Sequence, residues 1–76
     1  MEKIRVEIFD EGAYYACGWG YEGFGAVICT DKSIKNLRLK FEKTLAEQIS
    51  DMVADGDPIP QWLASGNYII EYSLPD

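Results

Sequence analysis

The chain contains no histidine among its 76 residues. Histidine is the side chain that most often serves as a general base near neutral pH and as a metal ligand. No serine stands in a Gly-x-Ser-x-Gly turn, and without histidine no partner is available to activate a serine or cysteine nucleophile. These absences predict that the chain is not an enzyme.

Cysteines and long apolar runs are scarce as well. Cys17 and Cys29 form neither a Cys-x-x-Cys pair nor a disulfide framework of four or more cysteines. No basic leader followed by an apolar run opens the chain, and no apolar segment approaches the roughly 20 residues that span a bilayer. We therefore expect a cytoplasmic protein without a membrane segment.

Motifs for metals and cofactors are also missing. The segment Asp55-Gly56-Asp57 looks like part of a calcium loop but lacks the third ligand position and the closing glutamate. It is more typical of a helix end followed by a turn. The glycines at positions 18 to 25 do not match the Gly-x-Gly-x-x-Gly pattern that cradles phosphates. We expect neither a metal nor a cofactor.

Positive charge is unevenly distributed. The net charge is −6, and five of the seven basic residues lie within residues 32–43, whereas none follows Lys43. Binding to nucleic acid depends on clustered lysine and arginine, so we predict no direct nucleic-acid binding by this domain. The acidic balance suits a basic protein partner, although a solvated surface without a partner explains it equally well.

Hydrophobic periodicity predicts the secondary structure. Alternating or aromatic-rich segments indicate four β-strands, over residues 3–9, 13–19, 25–30 and 68–74. From Ile34 to Met52, apolar residues recur every three or four positions, which predicts an amphipathic helix over residues 34–54. Ser33 is its expected N-cap, and Gly56 its expected stop. The prediction is a single α+β domain over residues 1–76, in the order β-β-β-α-β. Its three-to-four-stranded, mostly antiparallel sheet is covered on one face by one long helix.

The charged residues on this helix are placed so that they destabilise it. Glu47, Asp51 and Asp55 recur every four residues, and such like-charged neighbours repel each other. Lys35 lies at the positive end of the helix dipole and Asp55 at the negative end, which is unfavourable at both ends. We call Glu47, Asp51 and Asp55 the acidic ridge. Our hypothesis is that the ridge contacts a basic partner, and the competing interpretation is a tolerated surface repulsion.

Aromatic side chains are concentrated in the predicted hairpin and the loop after it. Exposed aromatics are common anchors of protein interfaces, although small cores also use aromatics to fill space. Leu39 lies off the apolar stripe of the helix. The predicted partner contacts outside the acidic ridge are therefore Tyr15, Trp19, Tyr21, Phe24 and Leu39.

Three segments of the sequence and its last predicted strand resemble the corresponding parts of HicB-like antitoxins. The first segment is an acidic turn followed by an aromatic pair, at residues 10–16. The second is the capped helix start at residues 30–37, and the third is the helix end Asp-Gly-Asp-Pro-Ile-Pro at residues 55–60. Together with the final β-strand they cover nearly the whole chain.

This resemblance implies a toxin-binding domain with a reduced RNase H-like fold that has lost the nuclease carboxylates. The implied partner is a small basic HicA-like ribonuclease toxin, and the antitoxin would occlude its RNA-binding and catalytic surface. Family members usually continue into a C-terminal DNA-binding domain. Because this sequence ends at Asp76, we expect that domain to be absent from this chain.

Two other functions are compatible with the sequence. One is a stand-alone interaction domain of the same fold with a partner that is not a toxin. The other is a residual RNase H-type enzyme, whose Mg²⁺ would need carboxylates such as Asp10, Asp57 and Glu71 to converge. A homodimer is also expected, through an edge strand at residues 3–9 or 68–74.

Overall fold

The computed structural model describes residues 1–75. Its elements are β1 (Glu2–Asp10), β2 (Tyr15–Tyr21), β3 (Gly25–Asp31), α1 (Ile34–Ala54), α2 (Gln61–Ala64) and β4 (Tyr68–Ser73). One long helix packs on a four-stranded sheet, as the sequence predicted. The described residues contain no helix long and apolar enough to cross a membrane.

The sheet has the strand order β3-β2-β1-β4. β2 pairs antiparallel with both β1 and β3, whereas β4 runs parallel to β1. A parallel neighbour requires a long crossover connection, and α1 with α2 supplies it between β3 and β4. The predicted edge strand at residues 3–9 is therefore wrong, because β4 covers that side of β1. The two edges of the sheet are β3 and β4.

Both ends of α1 lie where the sequence placed them. The Ser33 hydroxyl accepts a hydrogen bond from the backbone N–H of Asn36 at 3.3 Å, which satisfies one of the free donors of the first turn. Gly56 has a φ of +75°, a conformation that glycine adopts without strain. The backbone N–H of Asp57 then donates to the Met52 carbonyl at 2.9 Å and closes the helix.

β2 begins two residues later than predicted because a local turn takes up the start of the segment. The Asp10 carboxylate accepts a hydrogen bond from the backbone N–H of Gly12 at 2.9 Å. The N–H of Glu11 donates to the Tyr14 carbonyl, also at 2.9 Å. Such side-chain-to-backbone bonds compete with strand pairing. The last strand ends one residue earlier than predicted, at its final pairing position with β1.

The sequence did not predict α2. Pro60 precedes this single turn, and its carbonyl accepts hydrogen bonds from the N–H groups of Leu63 and Ala64, both at 3.0 Å. The Leu63 side chain is 0% exposed and belongs to the core. The four-residue helix is therefore part of the packed structure, between the end of α1 and the start of β4.

The core lies between α1 and one face of the sheet. Its buried members come from β1, β2, β3, α1 and α2 and from the turn before β3, and no polar side chain is buried among them. They are Ile4, Val6, Ile8, Cys17, Phe24, Val27, Cys29, Leu37, Phe41, Leu45, Ile49 and Leu63. The opposite face of the sheet is not covered by any element of the described chain, and it exposes Phe9, Ile28 and Ile69.

Candidate protein interface

The acidic ridge is exposed over its whole length. The acids that form ion pairs within residues 1–75 are Asp31 and Glu71, and no ridge residue is among them. α1 has no acidic residue in its first turn and no basic residue in its last turn. Its dipole is therefore uncompensated at both ends, and the ridge adds its charge to the negative end.

Two of the basic side chains on α1 have structural partners. The Lys40 ammonium lies 3.1 Å from an Asp31 carboxylate oxygen and donates to the Thr30 carbonyl at 2.6 Å. The Arg38 guanidinium lies 4.6 Å from the centroid of the Tyr72 ring, within the range of a cation–π contact. These bases connect α1 to the edge strands on its two sides.

The predicted aromatic contacts divide between surface and core. Tyr21 is 40% exposed, and its ring stacks on the half-buried Trp19 with centroids 6.2 Å apart. Phe24 is only 4% exposed and packs against Trp19 at 5.6 Å. The structure thus corrects the prediction that Phe24 is a surface contact. A turn in which the Phe24 N–H donates to the Tyr21 carbonyl at 2.9 Å folds this segment back towards the core.

α2 adds an aromatic residue that the sequence analysis did not select. The Trp62 ring contacts Tyr21 edge-on at 6.2 Å and Tyr68 edge-on at 6.4 Å. We call Trp19, Tyr21, Trp62 and Tyr68 the aromatic cluster. The signal that could have located Trp62 is Pro60 followed by Gln-Trp-Leu-Ala, because proline is common at the start of helices.

One hydrogen bond connects the helix that bears the ridge with the turn that follows Tyr21 of the aromatic cluster. The Gln48 side-chain nitrogen donates to the Phe24 carbonyl at 3.1 Å. Gln48 follows Glu47 directly and lies one turn from Asp51 on the same helix. The structure therefore brings the C-terminal half of α1 and the β2–β3 turn with Tyr21 to the same end of the molecule.

Two predicted contacts lie away from this end. Tyr15 is half-buried and pairs with Asp31 at the start of β2. It lies six residues before Tyr21, which is about 20 Å along an extended strand. Leu39 is 60% exposed and lies eight residues before Glu47, about 12 Å along the helix axis. Neither residue lies at the end of the molecule that carries the ridge and Tyr21.

The three carboxylates that a residual nuclease would need are separated. Glu71 lies 3.3 Å from the Lys3 ammonium and 3.8 Å from the Arg5 guanidinium. Arg5 is five residues before Asp10 on β1, which is about 16 Å along the strand. Asp57 lies in the connection after α1. Residues 1–75 contain no group of three metal-ligating side chains.

Two neighbouring grooves lie beside α1. One has a volume of about 390 Å³ and lies between Ile49 and Val53 of α1 on one side and residues 63–66, with Tyr68, on the other. The other, about 380 Å³, lies beside Arg38 and Glu42, and Tyr68 contributes to both grooves. The Tyr72 hydroxyl donates to a Glu42 carboxylate oxygen at 2.8 Å. Burial and this hydrogen bond raise the pKa of Tyr72 well above its usual value.

Comparison with known proteins gives no match: no family model, no curated protein and no solved structure is similar to this chain. The likeness to HicB-like antitoxins thus stays a resemblance of short segments and element order.

Proposed function

We propose that this chain is a protein-binding domain that neutralises a small basic HicA-like ribonuclease by covering its RNA-binding and catalytic surface. The observation that carries the proposal is the acidic ridge. Its three exposed carboxylates form a row about 12 Å long, and none has a cationic partner within residues 1–75. A surface that binds RNA is cationic, so a row of carboxylates competes with RNA phosphates for it.

In this proposal the negative charge steers the chain towards a basic partner and away from nucleic acid. The aromatic cluster supplies the apolar contacts with that partner. A net charge of −6 favours approach to a basic protein and disfavours approach to nucleic acid. The exposed part of Tyr21 supplies an aromatic anchor at the same end of the molecule as the ridge, the kind of residue on which interfaces depend most. The chain performs no reaction in this mechanism and needs no metal or cofactor.

The proposal includes a cytoplasmic location. Cys17 and Cys29 are both buried and not joined in a disulfide, and thiols persist in the reducing environment of the cytoplasm. An RNA-cleaving toxin acts in the same compartment as its substrate. The antitoxin would therefore be required there.

The test uses a purified basic ribonuclease of this class with two variants of matched charge. Glu47→Gln/Asp51→Asn/Asp55→Asn removes the ridge. Glu2→Gln/Glu7→Gln/Glu11→Gln removes the same number of charges from exposed positions outside the ridge. We expect the ridge variant to bind about tenfold more weakly or worse, since three exposed charge pairs contribute up to roughly 1 kcal/mol each. The control is expected to bind nearly as wild type.

Two readouts separate binding from neutralisation. Trp19 and Trp62 are the only tryptophans of the chain and both belong to the aromatic cluster, so intrinsic fluorescence reports on that end of the molecule. Cleavage of a labelled RNA reports on inhibition. Equal weakening by both variants would contradict a role for the ridge. Tight binding without inhibition would favour the alternative, an interaction domain with a partner that is not a toxin.

A further inference from the structure

The two edges of the sheet differ in how their backbones are covered. An uncovered edge strand presents unpaired N–H and C=O groups to any other strand. At β3, Lys40 donates to the Thr30 carbonyl at 2.6 Å and pairs with Asp31 at 3.1 Å. Gln48 donates to the Phe24 carbonyl, directly before β3, at 3.1 Å. Side chains of α1 therefore occupy both ends of this edge.

β4 has no such cover. Within residues 1–75, the backbone of Tyr68–Ser73 forms its ladder with β1 and receives no hydrogen bond from any side chain. Ile69 is 43% exposed on the face of the sheet turned away from α1. The one charged residue of the strand, Glu71, is neutralised by Lys3 and Arg5 on β1. The edge is six residues long and largely apolar.

The local charge around this edge is close to neutral, although the whole chain is strongly acidic. Three bases, Lys3, Arg5 and Arg38, stand against four acids around β4 and its groove, which are Glu42, Glu71 and, on β1 opposite the two ends of β4, Glu2 and Glu7. Most of the excess of acids that produces the net charge of −6 therefore lies elsewhere. Two copies of the chain that meet here repel each other less than two copies that meet at the acidic ridge.

We infer that β4 pairs antiparallel with β4 of a second copy, around a two-fold axis at Ile70, and joins the two sheets into one. The charge of Glu71 favours this register over its neighbour. An axis at Glu71 would place the two Glu71 carboxylates directly opposite each other, which is unfavourable. The axis at Ile70 instead places Ile69 opposite Glu71 of the second copy. Such a two-fold interface is self-complementary, as closed dimers require.

The same register covers the half-buried side chains of β4. Tyr68, Ile70 and Tyr72 point towards α1 and are only half-buried in one chain. Pairing around Ile70 sets Tyr68 opposite Tyr72 of the second copy, so aromatic cross-strand pairs form on the helix side of the joined sheet. Tyr68 lines both grooves, so the grooves border this interface.

The test measures molecular mass by sedimentation equilibrium over a wide range of concentrations. We expect wild type to reach twice the mass of one chain. Ile69→Glu places an acid opposite Glu71 of the other copy, in each of the two symmetry-related pairs, and should raise the dissociation constant about tenfold. Ile69→Lys places a base there and should leave the dissociation constant unchanged or lower it. Ile28→Glu, at a 74% exposed position on the covered edge, is the control and should dimerise as wild type.

The effect of the Ile69 variants on folding can be distinguished from their effect on association, because Lys3 is the neighbour of Ile69 on β1 of the same chain. Ile69→Glu adds an attraction to Lys3 in the monomer, and Ile69→Lys adds a repulsion. Monomer stability and dimer affinity should therefore change in opposite directions. A wild-type mass of one chain at every concentration would overturn the inference, as would equal weakening by both Ile69 variants or dissociation by Ile28→Glu.

Discussion

Gln48 joins the C-terminal half of α1 to the turn between β2 and β3, because its side-chain nitrogen donates to the Phe24 carbonyl 24 residues away in the chain. Phe24 packs under the helix, and its carbonyl would otherwise lose hydrogen bonding to water on burial. The bond therefore fixes the turn that carries Tyr21 against the helix that carries the acidic ridge.

Replacing Gln48 should weaken this connection. Gln48→Ala removes the donor, and we expect the free energy of unfolding to fall by about 1 kcal/mol. Gln48→Glu puts an acceptor next to the Phe24 carbonyl and should cost at least as much. Denaturant unfolding measures both, with Ser50→Ala on the exposed side of the same helix as the control. A Gln48→Glu variant as stable as wild type would contradict a role for the hydrogen bond.

The short helix α2 should contribute to global stability. Leu63 is 0% exposed, so Leu63→Ala removes buried methyl groups and leaves a cavity, at an expected cost of about 2–5 kcal/mol. Leu74→Ala changes the same residue type at an exposed position and should alter stability by less than about 0.5 kcal/mol. Thermal or denaturant unfolding gives both values. Similar small losses in the two variants would mean that α2 is not part of the cooperative core.

Stability should depend on pH through Tyr72. Burial comes first and the hydrogen bond to Glu42 second among the causes that raise the pKa of Tyr72 above its usual 10.0. The folded state thus retains the phenolic proton where the unfolded state loses it. This contribution to stability is complete below pH 10 and is lost as pH rises from 10 towards the folded-state pKa.

Unfolding measured across alkaline pH tests this linkage. The free energy of unfolding of wild type should decrease above pH 10, and Tyr72→Phe should reduce that decrease. Glu42→Gln removes the second cause of the shift and should have a smaller effect than Tyr72→Phe, because burial is the larger cause. An unchanged alkaline slope in Tyr72→Phe would argue that the phenol is not protected in the folded protein.

Cys17 should be chemically inert in the folded protein. Burial, and then the neighbouring Cys29, raise the pKa of the Cys17 thiol from 9.0 to about 11. The reactive thiolate at neutral pH is thereby reduced about a hundredfold. Alkylation followed at the level of individual peptides by mass spectrometry should show Cys17 reacting at least about a hundredfold more slowly in native than in denatured protein. Rapid native labelling would show that β2 opens readily.

Local sequence determined the elements whose ends depend on nearby residues. The bounds of α1 were predicted correctly because Ser33 and Gly56 cap it through contacts within a few residues, at 3.3 Å for the Ser33 hydroxyl and with a φ of +75° for Gly56. The alternation of Ile4, Val6 and Ile8 likewise indicated a strand with one buried face. The start of β2 was missed because the Asp10 side chain competes for the backbone of the turn.

Tertiary structure alone decided which of these elements are neighbours. Parallel pairing of β1 with β4, the burial of Phe24 and the position of Trp62 between Tyr21 and Tyr68 all join residues far apart in the chain. Residue type and local spacing show that the chain contains a carboxylate or an aromatic ring at a given position, but they do not show which distant residues surround it. Long-range packing decides those neighbours, because the free energy of burying apolar surface depends on all the elements that enclose it.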